Sequence, residues 1–98
     1  MIEIRADPNR IALYGHANYD EHGKDIVCAA VSALVYTLQE SLERLTDDDV
    51  SFSFLHYATV IEFGDISQTA QTLINGFLVG CDLIAGSYPD NVTLYSSD

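Results

Sequence analysis

The chain has 98 residues, 48% of them hydrophobic, which suits one small domain spanning residues 1–98. Fifteen acidic against four basic side chains give a net charge of −11. This charge argues against direct nucleic-acid binding, which needs clustered Lys and Arg, and favours a basic protein or peptide as partner, although solubility alone would explain it equally well.

The start of the chain predicts a β-hairpin. Residues 1–5 alternate apolar and polar side chains, as a half-buried strand does, and residues 10–17 form a second strand. The Asp-Pro-Asn sequence at 7–9 between them is typical of a turn. Residues 18–24 are polar and contain Gly23, so we expect an exposed, mobile loop with few apolar anchors.

Residues 25–45 give the strongest helix prediction. Apolar side chains recur there at three- and four-residue spacing, which produces one buried stripe; they are Val27, Val31, Leu34, Val35, Leu38, Leu42 and Leu45. Asp25 is a suitable N-cap, so Cys28 falls in the first turn of the helix. Ser32 follows four residues later and shares a face with Cys28.

The rest of the chain predicts three more strands and a second helix. The strands cover residues 50–54, 57–63 and 92–95, and the amphipathic helix covers residues 67–85. Gly76 and Gly80 predict a notch in this helix, where another helix packs closely. The order ββαββαβ predicts a two-layer α+β domain, with two amphipathic helices packed on a mainly antiparallel or mixed sheet.

The predicted localisation is cytoplasmic. The sequence has no apolar run of the length that a membrane span needs and no secretory signal after Met1. We therefore expect no membrane as a partner. Two cysteines in such a chain are expected to be thiols rather than a disulfide. Neither Cys-x-x-Cys nor His-x-x-x-His spacing occurs, so we do not expect a structural zinc site.

Cys28 and His16 are the candidate catalytic pair. A thiol in the first turn of a helix lies near the positive end of the helix dipole and near unpaired amides, and both favour the thiolate. A histidine at the end of the preceding strand could pair with that thiolate, as cysteine nucleophiles require. Taken alone, a cysteine is more often a small core residue. We expect that role for Cys81, which lies on the apolar stripe of the second helix.

A more specific pattern surrounds this pair. The sequence GHA at residues 15–17 is followed by a loop containing Gly23, and then by DIVCAAVS at residues 25–32. These residues closely resemble the motif of the ribosomal-processing cysteine protease family, Prp. Its members are small bacterial proteases that trim a short N-terminal extension from a large-subunit ribosomal protein. Element order and length are compatible with the family over the remaining chain.

The resemblance implies a cysteine endopeptidase in which Cys28 is the nucleophile and His16 is the general base. It implies a homodimer with no metal and no organic cofactor. The implied substrate is the N-terminal extension of a basic ribosomal protein, cut during ribosome maturation. His22 lies at an open position of the motif, so we expect it to be solvated or to touch substrate. His56 receives no predicted role.

Asp25 and Ser32 have alternative supporting roles. Asp25 is either only the N-cap or also a third catalytic residue that orients His16. Because a carboxylate beside a thiolate opposes its charge, we favour the cap. Ser32 either bonds its own helix backbone or, facing Cys28, tunes the sulfur and lines the pocket.

The remaining motif positions concern the loop and the oxyanion. Gly15 and Gly23 are motif glycines, and Gly23 is a possible hinge. Tyr19 and the surrounding loop are expected to cover a bound peptide and exclude water. The first-turn amides of the helix are the expected oxyanion donors.

Two other functions fit the same fold. One is a non-catalytic, ribosome-associated dimeric adaptor, although an adaptor has no need of the paired Cys28 and His16. The other is thiol acyl transfer, which uses the same pair but delivers the acyl group to an acceptor other than water.

Overall fold

The computed structural model describes residues 1–96, and its elements follow the predicted ββαββαβ order. They are β1 (Ile2–Asp7), β2 (Arg10–Tyr14), α1 (Ile26–Leu45), β3 (Ser51–Phe54), β4 (Ala58–Glu62), α2 (Gln68–Ser87) and β5 (Val92–Ser96). The predicted two-layer α+β class is confirmed. Most predicted bounds differ by one or two residues, and the largest difference, at the end of β2, lies beside the candidate site.

The five strands form one sheet in the order β3-β4-β2-β1-β5. β1 pairs with β5 in parallel, whereas the pairs β1–β2, β2–β4 and β3–β4 are antiparallel. The sheet is therefore mixed. The last strand lies beside the first one, so residues from both ends of the described chain meet at one side of the sheet.

The core lies between the sheet and the helices. Ile4, Ile11 and Ile61 point from the strands into this layer and are almost fully buried. Val27 and Ile74 meet them from α1 and α2. Burying apolar side chains of this size stabilises the fold by about 1.5–3 kcal/mol each. The core thus holds α1 in place on the sheet, and with it the first turn that carries Cys28.

The two helices approach each other closely at Gly80. A Cβ atom added at Gly80 would lie 3.0 Å from both terminal carbons of Leu34 on α1, whereas one added at Gly76 would meet no atom within 4 Å. The predicted notch is therefore formed by Gly80, and Gly76 takes no part in it.

Helix α1 is long and apolar enough to cross a membrane by length and composition. A core helix meets the same two criteria, so the prediction that no segment spans a membrane stays a prediction. In the fold, the apolar stripe of α1 is covered, since Val27, Val31 and Val35 belong to the core cluster that includes strands and α2. Burial of this stripe accounts for its composition.

Candidate active site

The candidate site begins where β2 ends. The strand stops at Tyr14 rather than at residue 17, because Gly15 has a φ of +84° and turns the chain out of the sheet. A Cβ atom at this position would lie 2.5 Å from the Met1 carbonyl oxygen. Both the dihedral angle and the space therefore require glycine here. His16 lies directly after this turn and is exposed to solvent.

Cys28 lies in the first turn of α1, where Asp25 forms the N-cap as predicted. The Oδ1 atom of Asp25 accepts hydrogen bonds from the amides of Val27 at 3.0 Å and Cys28 at 2.9 Å. These bonds satisfy two of the amides that a helix start leaves unpaired. They also correct the prediction for the oxyanion, because Asp25 already occupies these two first-turn donors.

The second oxygen of Asp25 organises the loop. Its Oδ2 atom accepts hydrogen bonds from the amides of Tyr19 at 2.9 Å and Asp20 at 3.3 Å. The hydrogen bond from the Cys28 amide, helped by the loop amides, holds the pKa of the Asp25 carboxyl below its ordinary value. Among the hydrogen bonds of residues 1–96, none joins Asp25 to His16. Asp25 thus connects the loop to the helix start and makes no hydrogen bond to the imidazole of His16.

Within residues 1–96, the sulfur of Cys28 has one hydrogen-bond donor, which lies where the chain leaves β2 and meets α1. The backbone N–H of Ala17 donates to Cys28 Sγ across 3.3 Å. Cys28 is half-buried and Ala17 is buried, so this contact is partly shielded from water. The contact places a backbone N–H donor directly on the sulfur of the candidate nucleophile. Sequence reasoning missed this contact, although Ala17 belongs to the motif.

Two contacts from the turn before β5 fix the first part of the loop. The side-chain amide of Asn91 donates to the Ala17 carbonyl oxygen at 3.0 Å. The rings of Tyr19 and Tyr88 meet edge to face, with their centroids 5.3 Å apart. The expectation of a loop with few anchors is therefore wrong for residues 18–20.

Residues 21–24 depend mostly on contacts within the loop. The Lys24 amide donates to the Glu21 carbonyl at 3.0 Å, and their side chains form an exposed ion pair at 2.9 Å. Gly23 has a φ of +89° and open space around it. Exposed ion pairs contribute little, about 0–1 kcal/mol. The mobility expected from the sequence stays a prediction, and the contacts favour it only in residues 21–24, the segment that carries His22.

Two clefts meet at Cys28, with volumes of about 330 Å³ and about 480 Å³. Both are bordered by His16, His22, Cys28 and Ser32. The first extends between α1 and the β3–β4 turn, and the second extends under the loop towards Gly23. Ser32 is exposed and lines the pocket beside Cys28, as one of its two expected roles requires.

All three histidines border the first cleft. His16 and His22 come from the loop region that the sequence pointed to, whereas His56 comes from the β3–β4 turn and had no predicted role. Within residues 1–96, no hydrogen bond joins an imidazole to Cys28 Sγ. The geometry brings the thiol and its candidate bases to one cleft without pairing them.

Cys81 has the opposite environment. Its side chain is fully buried in the core on α2, as predicted, and burial raises the pKa of its thiol to about 12. Such a thiol stays protonated and unreactive near neutral pH. No group of three His, Cys, Asp or Glu side chains in the described part of the chain is arranged to hold a metal ion.

A protein-family model described as cysteine protease Prp matches residues 1–93. The chain belongs to the Prp family of cysteine proteases. It is therefore a cysteine protease, and the resemblance seen in the motif extends over nearly the whole sequence. The recognition drawn from residues 15–32 is confirmed.

Relatives from several bacteria are similar to this chain. The ribosomal processing cysteine protease Prp of Bacillus subtilis is 34% identical over 86 residues, covering 80% of this chain and 76% of that protein. The crystal structure of SMU.848 from Streptococcus mutans is 32% identical with a TM-score of 0.77, covering 97% of this chain and 90% of that one.

A third comparison concerns the fold. The crystal structure of the essential ribosomal processing protease Prp from S. aureus, in complex with a covalently linked product peptide, has a TM-score of 0.94. The match covers 99% of this chain and 100% of the S. aureus chain, and the two sequences are 24% identical.

Proposed function

We propose that this protease removes a short N-terminal extension from a large-subunit ribosomal protein, with Cys28 as nucleophile and His16 as general base. The observation that carries the proposal is the position of Cys28: its sulfur accepts the Ala17 N–H at the junction of two clefts bordered by His16. The relatives named ribosomal processing proteases support the substrate class.

Acylation begins with transfer of the Cys28 thiol proton to His16. The sulfur forms a bond to the carbonyl carbon of the scissile peptide, whose oxygen becomes negatively charged. Ala17 N–H, which is directed at the sulfur, is our candidate donor to this oxyanion. The carbon–nitrogen bond then breaks, and the leaving amine takes the proton from the His16 imidazolium. A thioester on Cys28 remains.

Deacylation reverses these roles with water. His16 removes a proton from water, the resulting hydroxyl group attacks the thioester carbon, and the bond to sulfur breaks. The imidazolium returns its proton to the Cys28 thiolate, and the second product leaves as a carboxylic acid. Because no hydrogen bond joins His16 to Cys28 in the free chain, binding of peptide has to bring the pair together.

Charge and surface support the expected partners. The net charge of −11 suits a basic protein as substrate. The proposal includes a cytoplasmic location. The same proposal includes a homodimer, for which the exposed Val79 and Leu83, on one face of α2, offer apolar surface. Sedimentation of the purified chain tests the dimer: a single monomeric species at micromolar concentration contradicts it.

The decisive experiment incubates the purified chain with the ribosomal-protein precursor of the same organism. Mass spectrometry should show one shortened protein and one free peptide, whose new carboxyl terminus carries an oxygen from water. The Cys28→Ala variant should give no cleavage, while Cys81→Ala serves as the matched cysteine control. Transfer of the peptide to an added amine instead of water would indicate an acyl transferase, and binding without cleavage by the wild type would indicate an adaptor.

A further inference from the structure

Strand β3 forms an edge of the sheet, and among residues 1–96 its only neighbour is β4. The amide of Leu55 donates to the Ala58 carbonyl at 2.8 Å, so the residues opposite each other at this end form a hydrogen-bonded pair. Such pairs alternate along an antiparallel ladder. Phe52 and Phe54 occupy the intervening positions, and their N–H and C=O groups therefore point away from β4 towards the open edge.

An aromatic row follows the same edge. The rings of Phe52 and Phe54 stack with centroids 6.4 Å apart, and Phe54 stacks on Tyr36 of α1 at 5.6 Å. Phe54 is 48% exposed and Tyr36 is 56% exposed. Aromatic rings this exposed beside unpaired backbone groups are a feature that proteins usually avoid on an edge strand.

The aromatic row runs from the cleft that contains Cys28 to a second depression, which is lined by carboxylates. Tyr36 and Phe54 border the cleft that contains Cys28. At the other end of β3, Phe52 borders a depression of about 250 Å³ that is also lined by Glu43 and Asp49. From residue 49 to residue 54 an extended strand covers about 17 Å. The edge thus leads from the nucleophile, along aromatic surface, to a pair of carboxylates.

We propose that the substrate segment binds as an added strand along the β3 edge, with an apolar side chain on Tyr36 and Phe54 and a basic side chain at Glu43 and Asp49. This inference rests on the proposed function, since it describes how that substrate is held. The open N–H and C=O groups of Phe52 and Phe54 supply main-chain hydrogen bonds, which give affinity for an extended chain of many sequences. The aromatic surface at one end of the edge and the carboxylates at the other end determine which side chains of the substrate are preferred.

This arrangement explains how a small site recognises an unstructured segment. A strand added at an edge orders only the few residues that it pairs, and alternate side chains face the helix layer. A basic residue placed about five positions from the apolar residue reaches the carboxylates while the apolar side chain lies on Tyr36 and Phe54. Substrates with acidic residues at that distance are disfavoured by charge repulsion.

The test uses peptides that copy the N-terminal segment of the organism's ribosomal-protein precursor, each methylated at one backbone nitrogen. Methylation removes one N–H donor, so in an added strand it weakens binding at alternate positions and has little effect between them. We expect about tenfold weaker binding at each sensitive position, measured by calorimetry on the Cys28→Ala variant. Uniform effects, or effects without alternation, would overturn the proposed strand.

Variants of the chain test the side-chain contacts separately. Phe54→Ala should raise KM for the unmodified peptide about tenfold, and Asp49→Asn should reduce the dependence of KM on salt. Asp82→Asn, on the exposed surface of α2, is the charge-matched control and should change neither. Unchanged KM in both site variants contradicts the proposal. So does a changed oligomeric state in Phe54→Ala, because β3 would then bind a second copy of the chain.

These results separate the inference from the proposed function. If the wild type cleaves the substrate but the affinity does not depend on which backbone nitrogen is methylated, the added strand is contradicted and the protease assignment stands. If the effect of methylation on affinity alternates along the peptide but the wild type cleaves nothing, the assigned reaction is contradicted and the added strand is supported. Peptides that do not bind at all contradict both.

Discussion

The side-chain amide of Asn91 donates a hydrogen bond to the carbonyl oxygen of Ala17, 3.0 Å away. The N–H of the same Ala17 donates to the sulfur of Cys28. One peptide segment is therefore held from the β5 side and in turn contacts the nucleophile. His16 directly precedes it, so the turn before β5 holds a segment that lies beside both members of the proposed catalytic pair.

Removing this hydrogen bond should lower activity more than stability. In Asn91→Ala the Ala17 carbonyl loses its partner, and we expect a cost of about 1 kcal/mol in unfolding free energy. Because the Ala17 segment then moves relative to Cys28, kcat should fall about tenfold with KM nearly unchanged. Asp90→Ala, the exposed neighbour, is the control. If kcat falls by the same factor in Asp90→Ala as in Asn91→Ala, the positioning role of Asn91 is contradicted.

Gly15 and Gly23 form a matched pair for a second prediction. Both have positive φ angles, but only Gly15 would place a Cβ atom against backbone, 2.5 Å from the Met1 carbonyl oxygen. Gly23→Ala should cost about 1–2 kcal/mol from backbone strain alone. Gly15→Ala should cost clearly more and should displace His16, so that kcat falls as well. Chemical denaturation of the two variants measures the difference, and equal losses would contradict the steric argument.

Asp25 and Asp48 test the dual role of the cap. Asp25 binds first-turn amides and loop amides, whereas Asp48 accepts hydrogen bonds from the hydroxyl and amide of Ser67, the N-cap of α2, far from Cys28. Replacing either by Ala should lower the melting temperature. Only Asp25→Ala should also lower kcat, because only Asp25 connects the loop to the nucleophile. Activity lost equally in Asp48→Ala would show a general effect of stability.

The carboxyl groups of Asp25 and Asp48 also determine how the stability of the fold changes at acidic pH. Hydrogen bonds lower the pKa of Asp25 and of Asp48 in the folded chain below the ordinary 3.8. Their contribution to stability is therefore complete above about pH 4, and it is lost as the pH falls through the lower folded values. The unfolding free energy, measured at a series of pH values from 5 downwards, should fall less with decreasing pH in each Ala variant than in the wild type.

The two thiols should differ in labelling and in alkaline stability. Iodoacetamide should label Cys28 in the native chain and Cys81 only after unfolding, because Cys81 is buried. The pKa of Cys81 is raised from 9.0 to about 12 in the folded chain. Stability from the neutral thiol is thus complete below pH 9 and is lost by about 1.4 kcal/mol per pH unit above it. Cys81→Ala should remove this part of the alkaline loss.

His16 and His22 both border the two clefts, so kinetics must distinguish them. We expect His16→Ala to lower kcat by about three orders of magnitude, as loss of a general base does. His22→Ala should change KM more than kcat, because we expect the segment that carries His22 to contact bound peptide. A larger fall in kcat for His22→Ala, or for His56→Ala, would reassign the base.

Local patterns made the fold and the start of α1 predictable. The cap at Asp25 and the stripe beginning at Val27 are properties of neighbouring residues, which a helix converts directly into hydrogen bonds and burial. Cys81 was likewise recognised as a core residue from its place on an apolar stripe. Alternation and turn residues located the strands to within a few positions.

Contacts between distant residues could not be predicted in this way. Asn91 and Ala17 are 74 residues apart, and only the parallel placement of β5 beside β1 brings them together. His56 reaches the cleft because the β3–β4 turn lies beside the first turns of α1. Neither arrangement has a periodicity or spacing that marks it in one sequence. The predicted end of β2 is three residues too late because no local pattern marks the turn at Gly15, where a Cβ atom would lie 2.5 Å from the Met1 carbonyl oxygen.

The parallel pairing of β1 with β5 has a consequence for the timing of activity. Register aligns Ile2 with Val92 and Ala6 with Ser96, so these contacts close a loop of nearly the whole described chain. Contacts of such large sequence separation form late in folding, since they carry the highest loop-closure entropy. Asn91, which steadies Ala17, arrives with this strand. We therefore expect the catalytic arrangement to form only once residues 88–96 have joined the sheet.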